Sequence, residues 1–301
     1  HYAFLKIADG CNNFCSFCTI PFIRGRYKSV PMEDVIEEAK ALVNGGVKEL
    51  ILVAQDVTNY GSDLYGSPQL VKLIQELSKI KKLEWIRLHY CYPHLITDEL
   101  LDEIESNDKV CKYLDIPLQH ISNNILKNMN RKDLAEDIRS LLARIRSLKK
   151  PISIRSTFII GFPGETKKDN DELIDFLKQF KLDNVGFFTY SREENTKAGK
   201  MKHQVFEFVK RHRLKKVEQV QQQIILENQT NRIGKTYKAI CDELSAKQED
   251  GSYLYIFRTE ENSVSVDTVC YVKTSIPLVV GEFYNIKITG LNGIDLTAEL
   301  A

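Results

Sequence analysis

Between residues 3 and 189 six short β-rich runs alternate with five stretches of helical periodicity, and this alternation constrains the fold more than any other feature of the 301 residues. Strands are expected at Ala3–Ile7, Glu49–Val53, Trp85–His89, Lys112–Ile116, Ile152–Ile160 and Val185–Thr189. Between them lie "MEDVIEEAKALVNGG", "QLVKLIQELSKI", "TDELLDEIES", "LAEDIRSLLARIRSL" and "KKDNDELIDFLKQF", the first with glycines at its end to stop the helix. Six βα units in series imply an α/β protein with a parallel sheet, and their number suits a partial (β/α)6 relative of the TIM barrel. On such a fold, chemistry collects at the C-terminal ends of the strands.

The alternation defines residues 1–203 as one unit. Residues 204–231 read as a long charged and Gln-rich connector helix. Residues 232–301 alternate as short strands with Gly, Asp and Asn turns, which predicts a small antiparallel β-barrel of about five strands. With 42 basic and 41 acidic residues there is no global field to recruit nucleic acid or an anionic membrane. No apolar run approaches the ~20 residues of a membrane span. The chain starts at His1 almost directly on a strand, and it reads as a piece of something longer.

Seven cysteines without an apolar leader point to a reducing, cytoplasmic setting in which clustered thiols serve metal or redox chemistry. Cys91, Cys111, Cys241 and Cys270 each sit in or beside an apolar strand and are expected in the core. Cys11, Cys15 and Cys18 are different. They stand as CxxxCxxC in "DGCNNFCSFCTIPFIRGRYKS", just after the first strand, in a polar loop that would not bury three thiols for packing. Structural zinc takes four closed ligands. Three thiolates can hold three corners of a 4Fe-4S cluster and leave one iron free for an exogenous ligand.

With Phe17 before the last cysteine, this loop resembles that of the radical S-adenosylmethionine superfamily, whose open iron is chelated by the amino and carboxylate groups of S-adenosylmethionine. Three further segments are similar to the methylthiotransferase branch. They are "GGVKELILVAQDVTNYG" with Gln55, "LDIPLQHISNNILKNMNRKD" with Gln119 and Met129 to Arg131, and "IRSTFIIGFPGET" with Gly161, Pro163, Gly164 and Glu165. The resemblance implies a radical S-adenosylmethionine barrel followed by a TRAM domain. It also implies cofactor contacts at Phe17 near the adenine, at Gln55 and Gln119, and at Gly161 where adenosine passes. Arg155 on the fifth strand is a candidate partner for the cofactor carboxylate, with a barrel-interior ion pair as its alternative. His89, His94 and His120 are read as hydrogen-bonding groups. No acid or base residue is assigned a catalytic role, because an unactivated C–H has no acidic proton and calls for a radical.

"LHYCYP", "PLQH" and "YSREENT" lean toward the branch that methylthiolates the β-carbon of an aspartate in a small-subunit ribosomal protein. The alternative is the branch acting on tRNA adenosine, and an alternative of another class is a non-enzymatic metal module that displays the C-terminal domain to the ribosome. From Arg232 onward there are seven basic and ten acidic residues, a balance that suits a basic ribosomal protein as the TRAM-like domain's partner. "KRHRLKK" on the connector helix is read as a solvated face, with contact to ribosomal RNA as the sharper expectation. The resemblance further implies an external electron donor such as flavodoxin or ferredoxin, and a preceding domain with a second 4Fe-4S cluster that supplies the sulfur.

Overall fold

A computed structural model describes residues 1–301. Six strands run parallel, β1 Tyr2–Lys6, β2 Glu49–Val53, β3 Trp85–Leu88, β4 Tyr113–Asp115, β5 Ser153–Ile160 and β6 Asn184–Thr189. They form two three-stranded sheets in chain order, β1-β2-β3 and β4-β5-β6, joined by a parallel bridge between Ile86 and Val110. Every neighbour in space is a neighbour in sequence, and β1 does not pair with β6, so the sheet curves as an open half barrel. The strands lie within one residue of the expected limits. His89 falls outside β3 because Tyr90 turns the chain through a left-handed conformation, φ 60°.

The helices α1 Met32–Asn44, α2 Leu70–Ser78, α3 Asp98–Ser106, α4 Ala135–Arg146 and α5 Lys167–Phe180 cover the outer face. In α1, Met32, Val35, Ala39 and Val43 make the buried stripe, Glu33 and Asp34 complement the dipole, and Gly46 at φ 104° ends it. A reciprocal Thr166–Asp169 capping box starts α5, so Glu165 does not open the helix as its sequence position suggests. A cluster of 46 buried side chains joins these helices to one parity of the strands, Leu50, Leu52, Ile86, Leu88, Leu114 and Ile154 among them. The other parity, including Glu49, Arg87, Tyr113 and Arg155, faces the inside of the curve.

The 24-residue helix α6 Glu207–Thr230 packs against the half barrel through Val217 and Ile224. It leads to β7 Thr236–Lys247, β8 Tyr253–Thr259, β9 Cys270–Thr274, β10 Phe283–Asn292 and β11 Asp295–Leu300. These close into a barrel of order β8-β9-β11-β10-β7 around Tyr255, Phe257, Val272 and Ile286. The pair β9–β11 is parallel, in contrast to the purely antiparallel expectation. The reason is topological, since five strands cannot alternate direction all the way round a closed ring.

The small barrel sits beneath the half barrel. Arg258 pairs with Glu49 at 2.7 Å, Arg87 donates to the Glu260 carbonyl at 2.8 Å, and Tyr113 donates to Asp267 at 2.7 Å. Glu49 and Tyr113 are the first residues of their strands, so these contacts close the N-terminal opening. The loop over residues 260–267 reaches up inside the curve as far as His89, which meets the Ser263 hydroxyl at 2.8 Å. The C-terminal mouth is left open. No helix is long and apolar enough to cross a membrane.

Candidate metal and cofactor centre

The three clustered cysteines stand at that mouth. Immediately before them, Gly10 holds φ 74°, and a Cβ there would lie 2.2 Å from the Arg26 carbonyl oxygen, so only glycine lets the loop start. The Cys11 amide donates to the Gly25 carbonyl, and the Asn12 side chain accepts from the Tyr27 amide at 3.2 Å. Asn13 donates its side-chain amide to Asp56 at 3.1 Å. Asp56 is buried and held by Thr58 and the Asn59 amide, and burial raises its carboxyl above the ordinary range. The far side of the loop is tied to the segment Asn128–Arg131. Ser16 donates to the Asn128 carbonyl through its hydroxyl and to the Met129 carbonyl through its amide, while Asn130 donates to the Phe14 carbonyl. The loop is thereby fixed between the ends of β2 and β4 before anything binds in it.

All three thiols are free and half-buried. The amide of Asn13 donates to Cys11 Sγ at 3.4 Å, and an Arg131 nitrogen lies 3.8 Å from Cys15 Sγ. Burial raises the Cys11 and Cys18 thiols, so both favour the protonated form until cationic metal displaces the protons. Nowhere do three His, Cys, Asp or Glu side chains converge on a point that could hold a single ion. Three free, half-buried thiols on one loop suit three corners of an iron–sulfur cluster, with one iron left for an exogenous ligand. Cys91, Cys111, Cys241 and Cys270 are buried as expected, packed in the core of the half barrel, in the floor between the domains and inside the small barrel, and none joins the loop thiols in a ligand group.

The remaining candidates divide. Gln55, two residues past β2, carries a buried Oε1 with no hydrogen-bond partner, an acceptor at the mouth that awaits a donor. Gln119 follows β4 at φ 70°, its backbone bridged to β5 through Thr157 and Ile159. Tyr90 and Gln119 are thus two non-glycine residues held in left-handed backbone in the turns that follow β3 and β4. Phe17 packs edge-on to Phe162 at 6.3 Å, beside Ile125, Met129 and Tyr190, with part of its ring still open.

Contacts within the protein account for both Gly161 and Arg155. A Cβ on Gly161 would strike Lys210 Cγ at 2.3 Å and would have to accept a φ of 74°, so glycine is required here by the protein's own packing. Arg155 is the third residue of β5, well below the mouth. It pairs with Asp267 at 2.6 Å and lies 3.8 Å from Asp115, so its carboxylates are the protein's own. The ion-pair alternative is the one realised. Many of the C-terminal domain's acids are likewise engaged, Asp242 by Arg258, Glu261 by Arg232 and Glu282 by Lys48. Glu243, Glu249 and Glu299 are exposed and carry no ion pair, so only part of the domain's acidic balance is left at its surface.

Sequence reading missed Lys210 and Arg213. Lys210 donates to the Tyr190 carbonyl at 2.6 Å, and Arg213 donates to Glu165 at 2.9 Å. Glu165 in turn accepts from the Gly161 amide at 2.6 Å, and His120 lies 3.6 Å from it. Two cations of a run that looks solvated thus brace the Gly161–Glu165 turn. Nothing in the run distinguishes them except their spacing of three, which puts both on one helix face.

A family model described as the radical SAM superfamily matches residues 5–177, and one described as the TRAM domain matches residues 233–301. The ribosomal protein uS12 methylthiotransferase RimO of Acetivibrio thermocellus is 46% identical over 99% of this chain and 65% of its own length. The protein of the same description from Lachnoclostridium phytofermentans is 44% identical over 99% of this chain and 68% of its own. The chain thus spans about two thirds of the length of these relatives. Coproporphyrinogen III oxidase HemN of Escherichia coli, a radical SAM enzyme, shares the fold with TM-score 0.53 at 15% identity, over 86% of this chain and 67% of that one. TsrM of Kitasatospora setae, solved with cobalamin and a [4Fe-4S] cluster, does so with TM-score 0.54 at 19% identity, over 66% and 38%. The half barrel, its three free thiols and these matches agree, and the chain belongs to the radical SAM superfamily, in the RimO-type methylthiotransferase family.

Proposed function

We propose that this chain is the radical-generating part of an enzyme that methylthiolates the β-carbon of an aspartate in a small-subunit ribosomal protein. The observation that carries the reading is the placement of Cys11, Cys15 and Cys18 as free, half-buried thiols at the open mouth of a parallel half barrel, within a sequence 46% identical to a uS12 methylthiotransferase. Bound there, a reduced 4Fe-4S cluster and S-adenosylmethionine supply a 5′-deoxyadenosyl radical, which can take hydrogen from an unactivated C–H. The protein's part is to hold, orient and shield. The three cysteines hold the cluster and leave one iron to the cofactor. Gln55 and Gln119 receive the methionine end, the orphaned Gln55 oxygen accepting from its amino group. Phe17 offers its open ring face to the adenine. The loop over residues 260–267 closes the opposite end of the barrel to water.

Partners follow from the rim. Phe22 and Ile23, 75% and 70% exposed just beyond Cys18, are followed by exposed Arg24, Arg26 and Lys28. An apolar knob with a basic collar beside a redox centre suits an acidic electron carrier of the flavodoxin or ferredoxin kind. Exposed Arg211 and Lys215 of α6 are left for ribosomal RNA, with the cytoplasm as the setting. Sulfur comes from a second cluster on a part of the protein outside this chain.

The test is anaerobic reconstitution with iron and sulfide, followed by dithionite and S-adenosylmethionine. The expected product is 5′-deoxyadenosine, absent in Cys15→Ala. No product, or an equal yield from the variant, ends the proposal. With the complete protein, a mass gain on the ribosomal protein and none on tRNA decides the substrate.

A further inference from the structure

Cys15 differs from the other two thiols in the company it keeps. A backbone amide serves Cys11, donated by Asn13. Cys15 instead faces a guanidinium, with Arg131 Nη1 3.8 Å from its Sγ. That guanidinium is held in place. Its other terminal nitrogen donates to the Pro117 carbonyl at 2.9 Å, and its carbon lies 3.9 Å from the centroid of the Tyr92 ring. Tyr92 is 5% exposed and its buried hydroxyl has no hydrogen-bond partner, while its ring stacks on the guanidinium that meets Cys15. Two carboxylates lie near this corner, Asp133, 3.4 Å from His94, and the buried Asp56, which holds Asn13 of the loop at 3.1 Å.

Chelation alone does not require this arrangement, because the irons already hold the thiolates. One-electron reduction, by contrast, adds a negative charge to the cluster. A fixed cation and an O–H donor at one thiolate sulfur stabilise the reduced state more than the oxidised one, and in a half-buried site the effect is weakly screened. We propose that Arg131, oriented by Tyr92, is a positioning residue that sets the reduction potential of the cluster through Cys15. A further role follows for Tyr92, whose hydroxyl donates to the same sulfur once the cluster is in place. The inference rests on the cluster reading given above.

The test is an EPR-monitored redox titration of the reconstituted protein, with dithionite as the electron source and iron and sulfide content measured on every sample. Arg131→Gln removes the charge, Arg131→Lys keeps it without the planar stack, and Tyr92→Phe removes only the hydroxyl. The expected result is a midpoint shifted to more negative potential in Arg131→Gln, a smaller shift of the same sign in Tyr92→Phe, and most of the wild-type value retained in Arg131→Lys. A merely structural Arg131 would alter cluster content and leave the midpoint of the remaining clusters in place. Arg131→Gln or Tyr92→Phe with full iron content and the wild-type midpoint overturns the proposal. Should Arg131→Gln fail to take up cluster, Tyr92→Phe decides by the same criterion. A wild-type protein that binds no iron and sulfide sinks the cluster reading and this inference together, whereas an unchanged midpoint sinks only this one.

Discussion

Arg155 and Asp267 meet at 2.6 Å across the boundary between the half barrel and the small barrel, with the aspartate fully buried. Asp267 also accepts from Tyr113 and from the Ser263 amide, so a single carboxylate collects the floor of the half barrel and the inserted loop. The two domains share one interior at this point.

Removing one partner of a buried pair strands the other, at a cost of about 3–5 kcal/mol, while replacing both with apolar groups is often close to neutral. Asp267→Ala should therefore lower the unfolding free energy by about 3–5 kcal/mol. The double variant Arg155→Met with Asp267→Leu should recover only part of that in urea titrations, because the Tyr113 hydroxyl and the Ser263 amide still lose their acceptor. S-adenosylmethionine affinity should be unchanged in the double variant. A loss of affinity without loss of stability would restore Arg155 to the cofactor site.

What the sequence made legible follows physical range. Strand and helix limits depend on local periodicity and capping, and they could be read to within one residue for the strands and within three for the helices. The cysteine loop was legible because its spacing is itself the chemistry. Arg155 was not, since a strand arginine near a ligand carboxylate and one near Asp267 look alike until residues 112 positions apart are brought together. The same holds for the acids of the C-terminal domain, whose net charge is a sum over sequence while their fate depends on inward-facing partners. Lys210 and Arg213 hid in a basic run for the same reason.

At Gly161 the packing and backbone alone call for glycine. Gly161→Ala must accept φ 74° and a Cβ 2.3 Å from Lys210 Cγ. Left-handed backbone at a non-glycine costs of the order of 1–3 kcal/mol. Thermal unfolding should show Gly161→Ala destabilised by at least that much, with only partial rescue by Lys210→Ala. Complete rescue would mean that the clash alone matters and the backbone conformation is unstrained.

His89 gives the fold a pH dependence of definite sign. Burial, with Arg87 and Arg155 nearby, pushes its imidazole down from 6.5 to about 4. Between those values the unfolded chain binds a proton that the folded chain refuses, so this contribution is complete above pH 6.5 and is lost as pH falls toward 4. The size is up to about 3 kcal/mol. Asp115 opposes it, because burial raises its carboxyl to about 6 and its contribution fades as pH rises. The difference in unfolding free energy between wild type and His89→Asn isolates the histidine. It should grow steadily in favour of wild type from pH 4 to 6.5, and a flat difference would show that His89 titrates normally.

Gln55 allows stability and binding to be separated at one atom. Its Oε1 is buried without a partner, which costs the ligand-free fold about 1–3 kcal/mol of unrecovered hydration. Leucine has nearly the same volume and no acceptor. Gln55→Leu should therefore leave the protein as stable as wild type or more so by about 1 kcal/mol in denaturant unfolding. If the oxygen is there to receive the amino group of S-adenosylmethionine, the same variant should bind that cofactor about 5- to 10-fold more weakly by calorimetry on reconstituted protein. Opposite signs for the two measurements are the expected signature of an acceptor held in readiness for a ligand. Reduced stability with undiminished cofactor affinity would instead make Gln55 an ordinary packing residue at the end of β2.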